Sequence, residues 1–281
     1  MNNFIVQTWN VGSADVDKQR KENNLDENII NDLQNGIYLF QEISDKVKQY
    51  KNVIYQSNSS RNKDSSIELQ PYGCAIHWTD KFKFIQLVEP RYYKPIYDKT
   101  KDENISIGHR STPFVVLLYE NMCIVAISLH CYVPKKSSDN KRKLMIRSIL
   151  DDSLAIRCKL EDKHKKKTIV IIGGDFNTRP QLYNSLFGNY IEKNKLHVVS
   201  SNRQMNKVLT TANQLTNFKE RLDYLFVSNN INHSMESVVG ISNQSVDKFD
   251  SDVRNKNMEY ENKDHAKIQI LVIPNMDPNT I

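Results

Sequence analysis

Short runs of β-branched and aromatic residues alternate with polar connectors along the whole chain. Apolar runs of roughly four to eight residues, bounded by Asn, Asp, Ser and Gly, mark buried strands. Phe4–Val11, Ile37–Gln41, Val53–Gln56, Phe114–Leu118, Cys123–Leu129, Thr168–Ile172, Leu222–Val227 and Lys267–Ile273 fit that pattern. Tyr72–Trp78 and Phe82–Leu87 predict a hairpin pair, and Glu120-Asn121 predicts the turn between the two strands around it. Apolar positions at helical spacing predict a helix over 18–34, with Leu25, Ile29, Ile30 and Leu33 on one face. A short helix is expected over 43–50. The longest is expected over 141–162, where Leu144, Ile149, Leu150, Leu154 and Ile156 are the apolar positions. The polar stretches Ser57–Gln70, 89–112 and 240–263 are expected to be loops; the second carries several Tyr, and connectors of that length are often functional. With no internal repeat and no Pro/Gly/Ser linker, one domain over 1–281 is expected. The element order predicts an α/β fold with mixed sheets.

Composition narrows the function classes. Lys and Arg number 39 against 33 Asp and Glu, a formal charge of +6, and the pI is near 8.9. A hydrophobic fraction of 39% in such runs excludes a disordered chain. No apolar stretch reaches the roughly 20 residues of a spanning helix, which excludes an integral membrane protein of that kind. Cys74, Cys123, Cys131 and Cys158 form no C-x-x-C pair, so neither a zinc finger nor a disulfide scaffold is indicated. The start lacks a basic segment followed by an apolar core, so an intracellular, reducing compartment (cytoplasm or nucleus) is expected. The positive balance fits an anionic partner, although Lys and Asn are abundant everywhere.

The polar residues that interrupt this pattern gather at strand ends. The first strand ends at Asn10, the second at Gln41-Glu42 and the strand Cys123–Leu129 at His130. Thr168–Ile172 runs into Gly173-Gly174-Asp175-Phe176-Asn177. Asp223 interrupts an apolar run, and Asp264-His265 precedes the last strand. Taken singly, each has a plainer explanation. Glu42 suits a solvated edge, Asp175 suits a turn, and His130 suits a satisfied core position. Asp223 is harder to set aside, because an unpaired charge within an apolar strand costs several kcal/mol. Taken together, these acids, histidines and asparagines form a set suited to a hard divalent cation, which takes oxygen ligands and retains water.

In order, Thr8-Trp9-Asn10-Val11, Gln41-Glu42, Ser128-Leu129-His130, Gly174-Asp175-Phe176-Asn177, Arg221-Leu222-Asp223-Tyr224 and Asp264-His265 resemble the endonuclease/exonuclease/phosphatase superfamily of DNase I-like phosphoesterases. The resemblance runs from about residue 4 to 273. It implies a four-layer sandwich: two packed mixed β-sheets flanked by helices. It also implies Mg²⁺, with Mn²⁺ as a substitute. Glu42 then resembles the main metal ligand, with Asn10 beside it and Asp264 near the metal. Asp175 resembles the residue that orients or deprotonates the attacking water, and Asn177 a donor to the phosphate oxygens. His265 resembles the histidine on the scissile phosphate, with Asp223 fixing its orientation. His130 matches the histidine of the DNase I and sphingomyelinase branches. Arg110 resembles a phosphate-contacting arginine, and Tyr132 matches a tyrosine of the AP endonucleases.

The substrate stays open among three readings. Trp9-Asn10-Val11-Gly12 and Tyr132-Val133-Pro134-Lys135 depart from the AP endonuclease pattern, and Gly174-Asp175-Phe176-Asn177-Thr178-Arg179 departs from the inositol 5-phosphatase pattern. A nucleic acid is the expected partner, and a monomer the expected state. Lys135, Lys136, Lys141, Arg142, Lys143 and Arg147 follow His130, and Lys163 to Lys167 precede the Asp175 strand. Tyr92, Tyr93 and Tyr97 lie beside Arg91 and Lys94, a mixture that stacks bases and contacts phosphates. The alternative substrates are phosphoinositides, inositol phosphates or sphingomyelin. A third reading is a catalytically dead binding module.

Overall fold

The apolar runs become strands because alternate side chains of a strand face opposite sides, and here both sides are covered. A computed structural model describes residues 2–11, 30, 33–61, 67–90, 96–98, 103–105, 110–132, 139–178, 188–189, 193–198, 211–213, 218–220, 223–228, 232–239 and 267–274. The elements in chain order are β1 (Phe4–Asn10), β2 (Gly36–Ser44), a 3-10 helix (Asp45–Gln49), β3 (Val53–Arg61), β4 (Ile67–Trp78), β5 (Lys83–Leu87), β6 (Ile96–Asp98), β7 (Glu103–Ile105), β8 (Phe114–Tyr119), β9 (Met122–His130), α1 (Asp139–His164), β10 (Thr168–Asp175), β11 (Leu196–Val198), β12 (Thr211–Asn213), β13 (Phe218–Glu220), β14 (Asp223–Ser228), β15 (Asn232–Val239) and β16 (Lys267–Ile273).

They build two six-stranded mixed sheets, ordered β15-β16-β1-β2-β4-β3 and β11-β14-β10-β9-β8-β5. Each sheet has one parallel pair near its centre, β1 with β2 and β9 with β10. Phe4, Val6, Ile37, Leu39 and Ile76 of the first sheet meet Val115, Leu117, Ile124, Ala126, Ile169, Ile171, Leu225 and Val227 of the second in one core. Each such side chain, fully buried, contributes about 1.5–3 kcal/mol by leaving water. The outer face of the second sheet is covered by α1 through Met145, Ile146, Ile149, Leu150 and Leu160. The outer face of the first presents Trp9, Tyr38 and Phe40 to Val47 of the 3-10 helix and to Ile30. This is the two-sheet sandwich that the sequence motifs imply.

Several expectations need correction. Tyr72–Trp78 and Phe82–Leu87 do not pair. β4 lies between β2 and β3, whereas β5 pairs with β8 in the other sheet. The chain changes sheets at Thr79–Phe82, and Trp78 still stacks on Phe84 at 5.8 Å between centroids. Ser57–Gln70 is not one loop, since β3 continues to Arg61 and β4 begins at Ile67. The polar residues of β3 are tolerated because β3 is an edge strand. The long connector 89–112 contains the small pair β6–β7. In α1, Leu154 is 36% exposed, and Met145 and Ile146 take the buried positions instead. The helix expected over 18–34 lies outside the described residues except for Ile30, which is helical and buried, and Leu33 and Gln34, which are not in a helix. The stretch 240–263 also lies outside them.

One buried group makes the sandwich sensitive to acid. His77, in β4, is 8% exposed and lies 6.1 Å from the Tyr38 ring. Burial pushes its imidazole down to about 4, against a smaller opposing pull from Asp80. The unfolded chain therefore binds a proton near pH 6.5 that the folded chain refuses until about pH 4. The neutral histidine's contribution is complete above pH 6.5 and is lost as pH falls through that window, by about 3 kcal/mol in all. Urea midpoints measured from pH 7 to pH 4.5 should fall for the wild type and fall less for His77→Leu; parallel curves would remove this assignment.

Candidate active site

The space between the sheets changes character along the strands. On β1 the inward positions run Phe4, Val6, Thr8, Asn10; on β2 they run Ile37, Leu39, Gln41. On β9 they run Ile124, Ala126, Ser128, His130; on β10 they run Ile169, Ile171, Gly173, Asp175. The ladders align these polar ends: Asn10 is opposite Gln41, His130 opposite Asp175, and Asp175 opposite Asp223. Parallel pairing brings carboxyl ends together, which is where open α/β sheets place their ligands.

A neutral layer comes first. Gln41 is fully buried, and its Nε2 donates to Ser128 Oγ at 2.9 Å across the sheets, to Leu39 O at 3.0 Å and to Thr8 Oγ1 at 3.2 Å. Ser128 Oγ donates to Phe40 O at 2.9 Å. A Cβ on Gly173 would sit 2.7 Å from Leu39 Cδ1 and 2.8 Å from Thr8 Cβ, so glycine permits the close approach of the sheets here. In the sequence, Gln41 and Ser128 stand out only as motif neighbours. Their role as the hydrogen bonds between the sheets depends on a pairing that the sequence does not display.

The charged layer lies beyond it. Asn10 Nδ2 donates to Asp175 Oδ2 at 3.2 Å, joining the sheets a second time. His130 Nε2 lies 3.6 Å from Glu42 Oε1 and 3.8 Å from Asp175 Oδ2. Simple alternation would turn Glu42 to the outer face, with Phe40. A bulge between Phe40 and Ile43, with Glu42 at φ 51°, adds one residue on β2 and brings the carboxylate toward His130. The Glu42 side chain keeps 19% of its surface exposed, whereas those of His130 and Asp175 keep 4% each.

Past β10 the chain turns sharply. Asp175 Oδ1 accepts from Asn177 N at 2.8 Å, an Asx turn, and Asn177 takes φ 48°. Asn177 Nδ2 donates to Cys131 O at 3.0 Å, and Cys131 N donates to Asp175 O at 2.8 Å. Phe176 anchors the turn against the Phe226 ring at 5.0 Å and the Tyr224 ring at 5.6 Å. Tyr224 OH donates to Thr178 O at 2.9 Å.

The structure thus brings together Asn10, Glu42, His130, Asp175, Asn177 and Asp223. Arg110 and Tyr132 flank them, with the guanidinium 5.7 Å from the ring centroid. The Cys74 thiol ties them to the same place. Burial pushes it up to about 12, hydrogen bonding with Ser111 and Ser128 and the Arg110 charge oppose this, and the Glu42 charge adds to it. The Cys131 thiol is raised well above its ordinary value by burial and by Asp175, with Arg142 and Arg110 opposing. Asp264 and His265 lie outside the described residues, as do Lys135, Lys136, Arg91, Tyr92, Tyr93 and Lys94.

Two parts of the basic surface need correction. Arg142 is fully buried and donates from Nη1 to Tyr132 O at 3.5 Å, so it is no part of a solvated face. Lys163 to Lys167 lie where α1 ends and β10 is about to begin, and β10 itself spans about 23 Å from Thr168 to Asp175 at the rise of a strand.

The donor set fits a hard cation that keeps water. Glu42 supplies a partly exposed carboxylate and Asn10 an amide oxygen, and Asp175 and Asp223 add two buried acids side by side on adjacent strands. Adjacent buried acids repel one another, which a cation nearby relieves. Among the described residues, no group of three or more His, Cys, Asp or Glu side chains is arranged to hold a metal by itself. No helix among the described residues is long and apolar enough to cross a membrane.

No family model matches the sequence, and no curated protein matches it significantly. Solved structures do match. ANGEL2, described as a 2′,3′-cyclic phosphatase, aligns with 96% of this chain and 95% of its own at TM-score 0.63 and 14% identity. The human Nocturnin catalytic domain with bound sulfate covers 96% and 94% at TM-score 0.61 and 15% identity. A humanized TDP2 from D. rerio covers 96% and 99% at TM-score 0.58 and 14% identity.

One position tests the backbone that supports the site. Gly174 has φ 154°, and a Cβ there would lie 1.8 Å from Leu129 O. Gly174→Ala should lower stability by more than about 3 kcal/mol in urea unfolding, since neither backbone has room to move; a midpoint unchanged from wild type would contradict this geometry. At these identities the likeness concerns architecture, and the chain has the fold of the DNase I-like endonuclease/exonuclease/phosphatase superfamily.

Proposed function

We propose that this chain is a Mg²⁺-dependent phosphodiester hydrolase acting on nucleic acid. The observation that carries the proposal is the convergence of Asn10, Glu42, His130, Asp175, Asn177 and Asp223 at one end of the space between the sheets. Glu42 and Asn10, with Asp264, are the residues that would hold the metal. When bound, Mg²⁺ neutralises charge on the phosphoryl oxygens and acts as a Lewis acid. The chain's own residues do the rest. Asp175, fixed by Asn10 and by the Asn177 amide, orients a water for in-line attack and takes its proton. Asn177 donates to a phosphoryl oxygen. His130 lies between the two carboxylates, and its imidazole donates toward the same centre. His265 is the residue that would contact the scissile phosphate, with Asp223 to orient it.

Nucleic acid is preferred over a lipid or inositol headgroup for two reasons. Arg110 beside the Tyr132 ring pairs a phosphate-binding cation with a stacking surface. Among proteins of the same fold, one is described as the endonuclease domain of the TRAS1 retrotransposon, at TM-score 0.51 and 15% identity, and ANGEL2 is described in complex with adenosine-2′,3′-vanadate.

The test is a panel of plasmid DNA, single-stranded DNA, RNA, RNA with a 2′,3′-cyclic end, phosphoinositide vesicles and sphingomyelin vesicles, each with Mg²⁺, Mn²⁺ or EDTA. Cleavage of a nucleic acid is expected, abolished by EDTA, with affinity falling steeply as salt rises. Asp175→Ala should lose about 10²–10⁴-fold in rate with folding intact. Mg²⁺ or Mn²⁺ should raise the Tm of the wild type and not that of Glu42→Ala. Cleavage of lipid alone would transfer the proposal to the headgroup class, and absence of both cleavage and metal stabilisation would leave a binding module.

A further inference from the structure

The segment just before β8 has no strand partner for its first amides, yet it is buried. Ser111 is 1% exposed and Thr112 0%. Buried backbone N–H groups need acceptors, and two side chains of β3 provide them. Asn58 Oδ1 accepts from Ser111 N at 3.0 Å and from Ser111 Oγ at 2.7 Å. Gln56 Oε1 accepts from Thr112 N at 2.7 Å. Gln56 and Asn58 lie two residues apart on β3, where the ladder with β4 shifts between Ser57 and Ser59, and their hydrogen bonds put both side chains on the face toward this segment. That face looks across to the other sheet, and both amides grip the residues directly after Arg110.

We propose that Gln56 and Asn58 are positioning residues, which hold Arg110 beside Tyr132 by fixing the backbone of Ser111 and Thr112. The proposal rests on the phosphoesterase reading above and extends it to residues that no sequence motif marks. Two successive amides fixed from outside leave Arg110 little backbone freedom, and its guanidinium stays 5.7 Å from the Tyr132 centroid. The Arg110 charge is felt at both Cys74 and Cys131, which places it over the same end of the sandwich as Glu42 and Asp175. Asn58 also bears a cost that stability alone does not explain. It is 3% exposed, both lone-pair directions of its oxygen serve Ser111, and its Nδ2 finds no acceptor among the described residues. A buried donor left unmet in this way weakens a fold, and such local conflicts concentrate at functional sites.

The experiment is a double-mutant cycle on Asn58→Ala and Arg110→Ala in the full chain. It measures kcat and KM on the best-cleaved oligonucleotide, and the Kd of a fluorescent oligonucleotide with Ca²⁺ replacing Mg²⁺. Arg110→Ala should raise KM and Kd about tenfold, and Asn58→Ala about three- to tenfold, with kcat within about twofold of wild type. On the Arg110→Ala background, Asn58→Ala should add less than about twofold, because its effect passes through Arg110. Fold-changes that multiply in full overturn the proposal and leave the phosphoesterase reading standing. An Arg110→Ala enzyme with wild-type KM and Kd removes the arginine's role and the proposal with it. A wild type that neither binds nor cleaves an oligonucleotide overturns both. Should Asn58→Ala fail to fold, Ser111→Ala and Gln56→Leu each remove one of the three hydrogen bonds and close the same cycle.

Discussion

Two sheets packed face to face leave no water between them, and every inward side chain must be apolar or hydrogen-bonded across the gap. That constraint organises this molecule. Over most of the strand length it is met by hydrocarbon, as where Val6, Ile37 and Leu39 face Ile124, Ala126 and Ile171. Toward one end it is met by the neutral bonds of Gln41 with Ser128 and Thr8. Only beyond that layer do the charged groups begin. The neutral layer separates the core from the acids, so Asp175 and Glu42 meet polar neighbours rather than hydrocarbon.

The strand order explains why the polar ends coincide. In each sheet the central pair is parallel, and the carboxyl ends of β1 and β2, and of β9 and β10, finish level. β14 enters antiparallel to β10, so its first residue, Asp223, arrives at the same end as Asp175. The crossover from β9 to β10 is α1, which starts beside the site and ends at its far side. Arg142 near its start is drawn in under Tyr132, while the lysines at its end are carried away from the cleft. Sequence proximity to a strand that carries a site residue is therefore a poor guide to proximity in space: a strand of eight residues separates Lys167 from Asp175.

The strands and the charged site residues were legible in the sequence because burial leaves a plain trace. A β-branched run such as Lys267–Ile273 matches its strand end to end, and Asp175 and Glu42 stand out where such runs stop. Pairing partners were not legible. Tyr72–Trp78 and Phe82–Leu87 are close in sequence, and neighbouring strands usually pair, but four residues suffice to pass from one sheet to the other. Edge strands hid too, since Ser57 to Arg61 of β3 look like a loop. Asn58 and Gln56 were missed for the same reason: a neutral amide carries no charge to explain, and its value appears only when the segment it grips is known. Leu154 misled because helical spacing gives a face, and a face two residues wide at its margin still meets solvent.

The backbone carries a further record of the same end of the molecule. Among residues other than glycine, φ is positive at Glu42, within β2, and at Asn177, just past β10, and both lie within the site. For Asn the left-handed region is a modest cost, since its side chain bonds locally; for Glu it costs about 1–2 kcal/mol. At Glu42 that cost accompanies the bulge that reverses the side chain's direction, and without it the carboxylate would lie on the outer face beside Phe40. The same cost at Asn52, Glu120, Lys165 and Lys195 falls at solvent-facing turns or chain reversals, where conformation is dictated by the connection. Glu42 differs because β2 continues past it to Ser44 and no turn requires the strain. A fold under selection for stability alone has no use for a distorted strand that aims a carboxylate at a buried imidazole and a second carboxylate. The strained backbone and the contact between a carboxylate and a buried imidazole therefore fall on the same residue.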